Sequence, residues 1–317
     1  MVGSNRNHLS DAHAFASKPN LESNTMSSPA ARREAGFRAP VGVDTTRASI
    51  ARVYDYSLDG KDNYPVDRAA LAAILEVAPG QREVSRLNRR WLHRVVRYLA
   101  GSAGIDQFLD VGAGLPTVCN THQVAQQENR DVQVVYVDND PLCCAHGRAL
   151  LEENANTHYL CGDLLEDGTL LENEGVSRYL DPGRPIGLIV CGVLHHVDDS
   201  LDPAAVVRGY TDRLANGSFV AITSFWAPAD ENRELHALAK RLEWAFTEMG
   251  VGSGWYRTRE QQLEYFGGLE LIEPGLVGLA DWWPAGPLTR PRWPEEQLIL
   301  GGVGHKPLPA PPRIHFV

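Results

Sequence analysis

The chain has 317 residues, of which 43% are hydrophobic, and it carries a formal net charge of −10. This length suits one large domain with an insertion or two modest domains, and the hydrophobic share is sufficient for a sizeable core. The acidic balance disfavours nonspecific binding to nucleic acid or anionic membranes, since neutralising phosphates requires clustered Lys and Arg. We therefore expect a small-molecule substrate and no nucleic-acid or membrane partner.

Targeting and redox signals are weak. No segment approaches the roughly 20 apolar residues that span a bilayer, and the polar N-terminus lacks the apolar centre of a signal peptide, which predicts a cytoplasmic protein. Residues 1–45 have the composition of a disordered leader, and residues 307–317 that of a loose Pro-rich tail. The five cysteines are odd in number and include no C-x-x-C pair, which favours free thiols and predicts no metal site.

Two helices are predicted before the first strand. Asn63 as a cap and Pro65 in the first turn predict a helix that Pro79-Gly80 ends. The second is expected from about Gln81 to Ala100, where apolar residues recur every three or four positions and Gly101 follows.

Short apolar runs then alternate with helical or loop segments at the spacing of βα units. One of these helices, Pro203 to Leu214, has Asp202 at its N-cap and Pro203 at N1. This alternation predicts a doubly wound α/β domain with a parallel sheet covered on both faces. The five predicted strands are 107–111, 132–137, 157–161, 186–191 and 219–225.

The rhythm changes after the fifth predicted strand. A long amphipathic helix is expected over Glu231 to Met249, and Thr258 with Gln261 predicts a capping box for a shorter one. Two closing strands are predicted at 269–279 and 297–303. The segment 226–262 is interpreted as a helical insertion. Its aromatic stretch from Phe225 to Trp255, which includes Trp226, His236 and Trp244, is expected to form the wall of a substrate pocket.

A glycine loop follows the first predicted strand, in the segment DVGAGLPT from Asp110 to Thr117. Glycines in such a loop let the backbone approach a ligand closely. A dinucleotide site would require G-x-G-x-x-G, but Thr117 occupies the third glycine position, which weakens an NAD-dependent oxidoreductase as an alternative.

Polar residues follow the next three strands. Asp138 ends the second strand, where a carboxylate can accept hydrogen bonds from ribose hydroxyls, and Asp163 after the third could accept from an adenine amine. Asp163 could equally be a helix cap. Their neighbours Asn139 and Leu164, and Cys191 at the end of the fourth strand, fall at the same edge of the sheet. This order is typical of an adenosyl ligand lying across the strand ends.

The same order resembles the class I S-adenosylmethionine (SAM) dependent methyltransferases. More narrowly, the block ARVYDYSLDGKDN from Ala51 to Asn63 resembles the N-terminal signature of a bacterial S-adenosyl methyltransferase family, formerly a domain of unknown function. Three further blocks are similar to that family: 108–117, 135–141 and 268–275. Asp59 departs from the glycine or small residue expected in the signature.

The resemblance implies a Rossmann-like, mostly parallel seven-stranded sheet whose last strand is antiparallel, within a methyltransferase domain over 46–306 that begins with a helical lid over 46–104. It implies SAM as cofactor, with Tyr54, Tyr56 and Lys61 approaching it from the lid, although both tyrosines could instead pack the lid on the sheet. Arg89 could pair with the methionyl carboxylate or simply be solvated. The remaining implied SAM-lining residues are Asp110, Gly112, Ala113, Gly114, Asp138, Asn139, Asp163, Leu164 and Cys191.

Catalytic candidates come from position alone. His195 and His196 fall just past the fourth strand, where a neutral imidazole could orient or deprotonate an acceptor, although each could instead be structural. The acceptor atom (O, N or C) is open. Methyl transfer requires no obligatory base. Because the cofactor loop is intact but no residue is a certain catalytic base, a SAM-binding regulator or inactive partner subunit that never turns over is an alternative. A nucleic-acid methylase is disfavoured, since the chain has no Asn-Pro-Pro-aromatic element.

Overall fold

A twisted, mostly parallel β-sheet forms the centre of the computed structural model, which describes residues 42–166, 170–228, 232–287 and 289–308. The strand order is β3-β2-β1-β4-β5-β8-β6, with β1 to β5 parallel and β8 antiparallel to β5. The strands are β1 (Gln107–Val111), β2 (Gln133–Asp138), β3 (Thr157–Cys161), β4 (Gly187–Cys191), β5 (Phe219–Phe225), β6 (Glu270–Leu271), β7 (Val277–Gly278) and β8 (Ile299–His305).

The sheet has eight strands where seven were predicted. The segment expected as one strand over 269–279 forms the two short strands β6 and β7, both antiparallel to β8. Because β5 occupies the other edge of β8, the two short strands share one outer position. The turn that separates them contains Pro274, which has no N–H to donate to a neighbouring strand.

Helices cover both faces of the sheet, as predicted for a doubly wound fold. Adjacent residues of β1 point to opposite faces, so that Phe108 joins one buried apolar cluster and Leu109 the other. The helices are α1 (Ile50–Ser57), α2 (Pro65–Val77), α3 (Gln81–Arg97), α4 (Thr121–Glu128), α5 (Pro141–Leu150), α6 (Glu174–Ser177), α7 (Pro203–Arg213), α8 (Arg233–Trp244) and α9 (Arg259–Leu263).

Several helix boundaries differ from the predictions in their caps. Tyr64, rather than Asn63, is the N-cap of α2, with Asp67 completing a capping box. The helix predicted over 231–249 begins at Arg233, capped by the Asn232 side chain, and passes into a π-helical turn at Ala245. The Asp202 cap of α7 and the Thr258 capping box of α9 are confirmed.

One cysteine prediction was wrong. Cys144 on α5 and Cys161 at the end of β3, expected as free thiols, form a disulfide with a Cα–Cα distance of 5.6 Å. The pairing arises because α5 packs beside β3, a proximity that cysteine spacing does not reveal. Cys119, Cys143 and Cys191 are free.

Two further predictions concern the chain outside the sheet. The expected leader falls mostly on residues 1–41, and most of the expected tail on 309–317, both outside the described residues. In the part of the chain that is described, no helix has the length and apolar character needed to cross a bilayer.

Candidate active site

A cavity of about 420 Å³ lies at the carboxyl ends of the parallel strands, between the loops that follow β1 to β4 and the helices α1 to α3. Thirteen of the fifteen predicted site residues line it. They are Tyr54, Arg89, Asp110, Gly112, Ala113, Gly114, Asp138, Asn139, Asp163, Leu164, Cys191, His195 and His196. Tyr56 and Lys61 do not.

The glycine loop has a backbone that requires glycine. Gly112 and Gly114 have φ angles of +67° and +71°, in the left-handed region that other residues rarely adopt. A Cβ at Gly112 would also lie 2.4 Å from the Cγ2 of Val193. The loop therefore follows the sheet edge closely, as a ligand-contacting loop must.

Asp138 connects this loop to the end of β2. Its Oδ2 accepts the Gly114 N–H at 2.8 Å and its Oδ1 accepts the Asp140 N–H at 2.9 Å. Burial raises the pKa of Asp138, while these two backbone hydrogen bonds oppose the shift. The carboxylate thus shapes the loop, in addition to its predicted contact with ribose.

Asn139 and Asp163, which are both predicted site residues, are hydrogen-bonded to each other. The Asn139 side-chain amide donates to the Oδ2 of Asp163 at 2.9 Å, across the ends of β2 and β3. The Oδ1 of Asp163 accepts the Leu165 N–H at 2.9 Å, so Asp163 both forms a local turn and faces the cavity.

Asp110 and Arg89 are two oppositely charged residues that line the cavity. Burial raises the pKa of Asp110 to about 6, although the Thr121 hydroxyl, which donates to it at 2.6 Å, and the nearby Arg89 guanidinium both lower it. Arg89 donates through Nη2 to the Cys119 carbonyl at 3.0 Å, and its buried Nε has no partner among the described residues. Of the described residues that line the cavity, Arg89 is the only Lys or Arg.

Asn88 is a site residue that the sequence analysis missed. Its Oδ1 accepts the Thr223 hydroxyl at 2.8 Å and the Cys191 thiol at 3.3 Å, and its Nδ2 donates to the Tyr54 hydroxyl at 3.2 Å. Tyr54 in turn donates to the Ser85 carbonyl at 3.1 Å. Asn88 therefore connects α1, α3, β4 and β5. The one indication of this role in the sequence is that Asn88 is a polar residue that follows Leu87 on the buried face of α3.

Part of the N-terminal signature, residues 58–63, forms a loop that is held by hydrogen bonds within the signature. The buried Asp55 carboxylate accepts the Asp62 N–H at 3.0 Å and the Asn63 amide at 2.8 Å. The Arg82 guanidinium lies over the Tyr56 ring, 4.7 Å from its centroid, and Lys61 is exposed. Tyr56 thus packs against other parts of the predicted lid rather than on the sheet.

His195 and His196 lie in a turn after β4, and a buried arginine holds this turn. The Arg257 guanidinium donates to the Leu194 carbonyl at 2.6 Å and to the Val197 carbonyl, on either side of the pair. His196 Nδ1 lies 3.0 Å from the Ser253 hydroxyl. Burial, with Arg257 adding to it, lowers the pKa of His196 to about 3 and that of His195 well below its usual range.

Only part of the predicted aromatic wall reaches the cavity. Phe225 lines it together with Phe246, and their ring centroids are 5.2 Å apart. Trp226 and His236 do not line it, and Trp244 is 55% exposed.

Comparison with known proteins assigns the chain to a family. The sequence profile described as S-adenosyl methyltransferase matches residues 37–307. Two crystal structures are similar: a candidate methyltransferase from Thermobifida fusca YX and a DUF574 family protein from Streptomyces avermitilis MA-4680. The first is 41% identical, with a TM-score of 0.78, and the match covers 85% of this chain and 98% of that one. The second is 35% identical, with a TM-score of 0.77, covering 83% and 99%. No curated protein matches.

The chain belongs to the S-adenosyl methyltransferase family. Its cofactor is therefore SAM, as predicted, and the family assignment removes the NAD alternative. The cavity suits SAM chemically, because Arg89 offers an unpaired buried N–H for the carboxylate of the amino-acid tail. This member of the family has the predicted Rossmann-like fold, built on a mostly parallel sheet.

Proposed function

We propose that the protein transfers a methyl group from SAM to a small-molecule acceptor that enters the cavity beside His195 and His196. The observation that carries the proposal is the continuity of one cavity from the acids after β2 and β3 to the histidines after β4. When bound, SAM supplies a methyl group on a positively charged sulfur, ready for in-line displacement.

The chain's own residues then have separate tasks. Asp138, Asn139 and Asp163 would hold the adenosine, because their oxygens and amide lie at the ends of adjacent strands. Arg89 would hold the carboxylate of the tail and Asp110 its ammonium group. Fixing the tail at one side and the adenosine at the other orients the methyl group toward the acceptor, and orientation of this kind lowers the barrier by several kcal/mol.

The histidines would act on the acceptor. Both imidazoles are neutral near pH 7, because burial lowers their pKa values, so each can donate or accept a hydrogen bond. A small acceptor is in keeping with the site, because the cavity of about 420 Å³ must hold the cofactor as well and leaves only part of its volume for the acceptor.

The test has two stages. Calorimetry should first detect binding of SAM and of S-adenosylhomocysteine, with NAD as a control that does not bind. Release of S-adenosylhomocysteine with an acceptor present would then separate the enzyme from a SAM-binding regulator that never turns over. Absence of cofactor binding by folded protein would overturn the proposal.

A further inference from the structure

The part of the cavity around the Phe225 ring has a different chemistry from the part that contains the carboxylates. We define the acceptor chamber as Ile74, His195, His196, Phe225, Phe246 and Ile299, all of which line the cavity. Ile299 is opposite Phe225 in the β5–β8 pairing, and the Phe225 ring stacks on His195 with centroids 3.6 Å apart. None of the six residues carries a carboxylate, an ammonium or a guanidinium group.

The charged side chains that line the cavity lie outside the chamber, and the buried Arg257 beneath the histidine turn is paired with Asp199. Four carboxylates, from Asp110, Asp138, Asp140 and Asp163, and the Arg89 guanidinium line the cavity outside the chamber. An ion placed in the chamber would lose its hydration without gaining a counter-ion, which is costly in an apolar environment. The chamber therefore selects for an acceptor without net charge.

Among the described residues of the chamber, one fully buried polar atom has no hydrogen-bond partner. His195 is 3% exposed, and its buried Nδ1 has no hydrogen-bond partner among the described residues. The neighbouring His196 differs, because its Nδ1 is already paired with the Ser253 hydroxyl. Since buried polar groups are nearly always hydrogen-bonded, this unsatisfied Nδ1 singles out the His195 imidazole as a candidate for binding a ligand.

We infer that the acceptor is a neutral, flat aromatic molecule with one nucleophilic hydroxyl, and that His195 binds this group by a hydrogen bond. The inference rests on the proposed methyl transfer and specifies its substrate class. The phenyl rings of Phe225 and Phe246 present faces and edges against which a flat ring packs favourably. His196 and Ile74 complete an apolar enclosure that excludes water.

The transfer step balances with this acceptor. A lone pair of the acceptor oxygen would form the new bond to the methyl carbon, while the sulfur–methyl bond would break and its electron pair would stay on sulfur. The positive charge that sulfur loses would leave as the acceptor's proton, which the His195 imidazole would take up and release to water once the product has left the cavity. Because the imidazole stays neutral before the reaction, His195 chiefly orients the acceptor.

The experiment uses full-length protein saturated with S-adenosylhomocysteine and measures probe affinity by calorimetry. The probes are phenol and 2-naphthol, with naphthalene lacking the hydroxyl and 2-naphthoate carrying a charge. We expect at least one of the two phenols to bind, about tenfold tighter than naphthalene if the hydroxyl gains the His195 hydrogen bond. We expect 2-naphthoate not to bind.

His195→Phe keeps the stacked ring but removes both nitrogens, so it should abolish the preference for 2-naphthol over naphthalene. The matched control is His158→Phe, because His158 also stacks on an aromatic ring, Tyr179, at 3.5 Å and has an unpaired Nε2, but lies outside the cavity. The control should keep the preference. His195→Gln, whose amide also donates and accepts, should retain part of it even if the Phe variant folds poorly.

Two results would overturn the inference: binding of 2-naphthoate as tightly as 2-naphthol, or an unchanged preference in both folded His195 variants. Failure of both phenols to bind protein that does bind S-adenosylhomocysteine would also overturn it while leaving the cofactor site intact. Failure to bind S-adenosylhomocysteine would instead count against the proposed function itself.

Discussion

The cofactor end and the acceptor chamber of the cavity differ in the parts of the chain that form them. The cofactor end consists of short segments that each follow a parallel strand, held by hydrogen bonds such as that from Gly114 N–H to Asp138. The acceptor chamber draws Ile74 from α2, Phe225 from β5, Phe246 from the π-helical turn after α8, and Ile299 from β8.

This difference explains why the cofactor end, but not the acceptor chamber, could be predicted from the sequence. A parallel sheet places all its carboxyl ends at one edge, so polar residues after successive strands must meet there. Apolar residues on helices have no such marker, because a phenylalanine that lines a cavity looks the same in sequence as one in the core. Five predictions test this contrast, from the largest expected effect to the smallest.

Gly112→Ala should affect the cofactor end most. The new Cβ would combine a left-handed backbone, which costs about 1–2 kcal/mol in an L-residue, with a 2.4 Å approach to Val193. We expect the affinity for S-adenosylhomocysteine, measured by calorimetry, to fall at least about 100-fold as the loop shifts. Gly114→Ala is the matched control, since it has a similar φ but no atom within 4 Å of the added Cβ, and should lose much less. Equal losses in the two variants would show that backbone strain alone decides the effect.

Arg89→Met should weaken binding of S-adenosylhomocysteine by about 10- to 100-fold, the value of a hydrogen bond to a charged group. It should not change the affinity of 5′-methylthioadenosine, which lacks the amino-acid tail. Arg97→Met is the control, because Arg97 lies on the same helix but is 57% exposed and outside the cavity. If both ligands weaken equally in Arg89→Met, the guanidinium supports the fold rather than the tail.

Asp110 should make cofactor binding depend on pH. Its pKa of about 6 means that it is neutral below that pH and a carboxylate above it. Affinity for S-adenosylhomocysteine should therefore rise about tenfold between pH 5 and pH 7, as the carboxylate becomes available to the ammonium group. Asp110→Asn should give a flat profile, and a variant profile parallel to that of the native protein would assign the titration to another group.

The ligand-free protein should show the opposite trend for the same group. Because burial raises the pKa of Asp110 above its ordinary value of 3.8, the folded state binds the proton more tightly than the unfolded state. Its contribution to the free energy of unfolding is thus largest below about pH 4, decreases up to about pH 6, and is constant above. In denaturant titrations, the free energy of unfolding of the native protein should decrease between about pH 4 and pH 6 relative to that of Asp110→Asn.

Asn88→Ala should affect stability more than cofactor affinity. It leaves the buried groups of Tyr54, Thr223 and Cys191 with fewer partners, which should lower the free energy of unfolding by about 1–3 kcal/mol. We expect S-adenosylhomocysteine to bind with nearly unchanged affinity. Asn129→Ala on an exposed surface is the control for the amide truncation. A large loss of affinity without a loss of stability would make Asn88 a direct cofactor ligand.

Local chemistry accounts for the parts of the fold that were predicted. The limits of β1, β3 and β5 were predicted to the residue, because turn-forming residues such as Gly112, Gly162 and Gly217 lie at or near their ends. Errors occurred where local choices were close: Tyr64 replaced Asn63 as a cap, and Pro274 divided one predicted strand into two. Tyr56 and Lys61 lie outside the cavity, since a signature shared by a family does not distinguish ligand contacts from residues that fold a loop.

The sequence by itself determined the alternation of strands and helices, the glycine loop and the acids at the strand ends, because each depends on backbone geometry and on residues close in the chain. Only the tertiary structure decided which side chains meet from distant elements. These include Asn88 between four elements, Arg257 beneath the histidine turn, Cys144 beside Cys161, and the neutral aromatic chamber around His195. Such contacts depend on how helices pack on the sheet, and packing is selected by the shape and burial of the whole domain rather than by any local pattern.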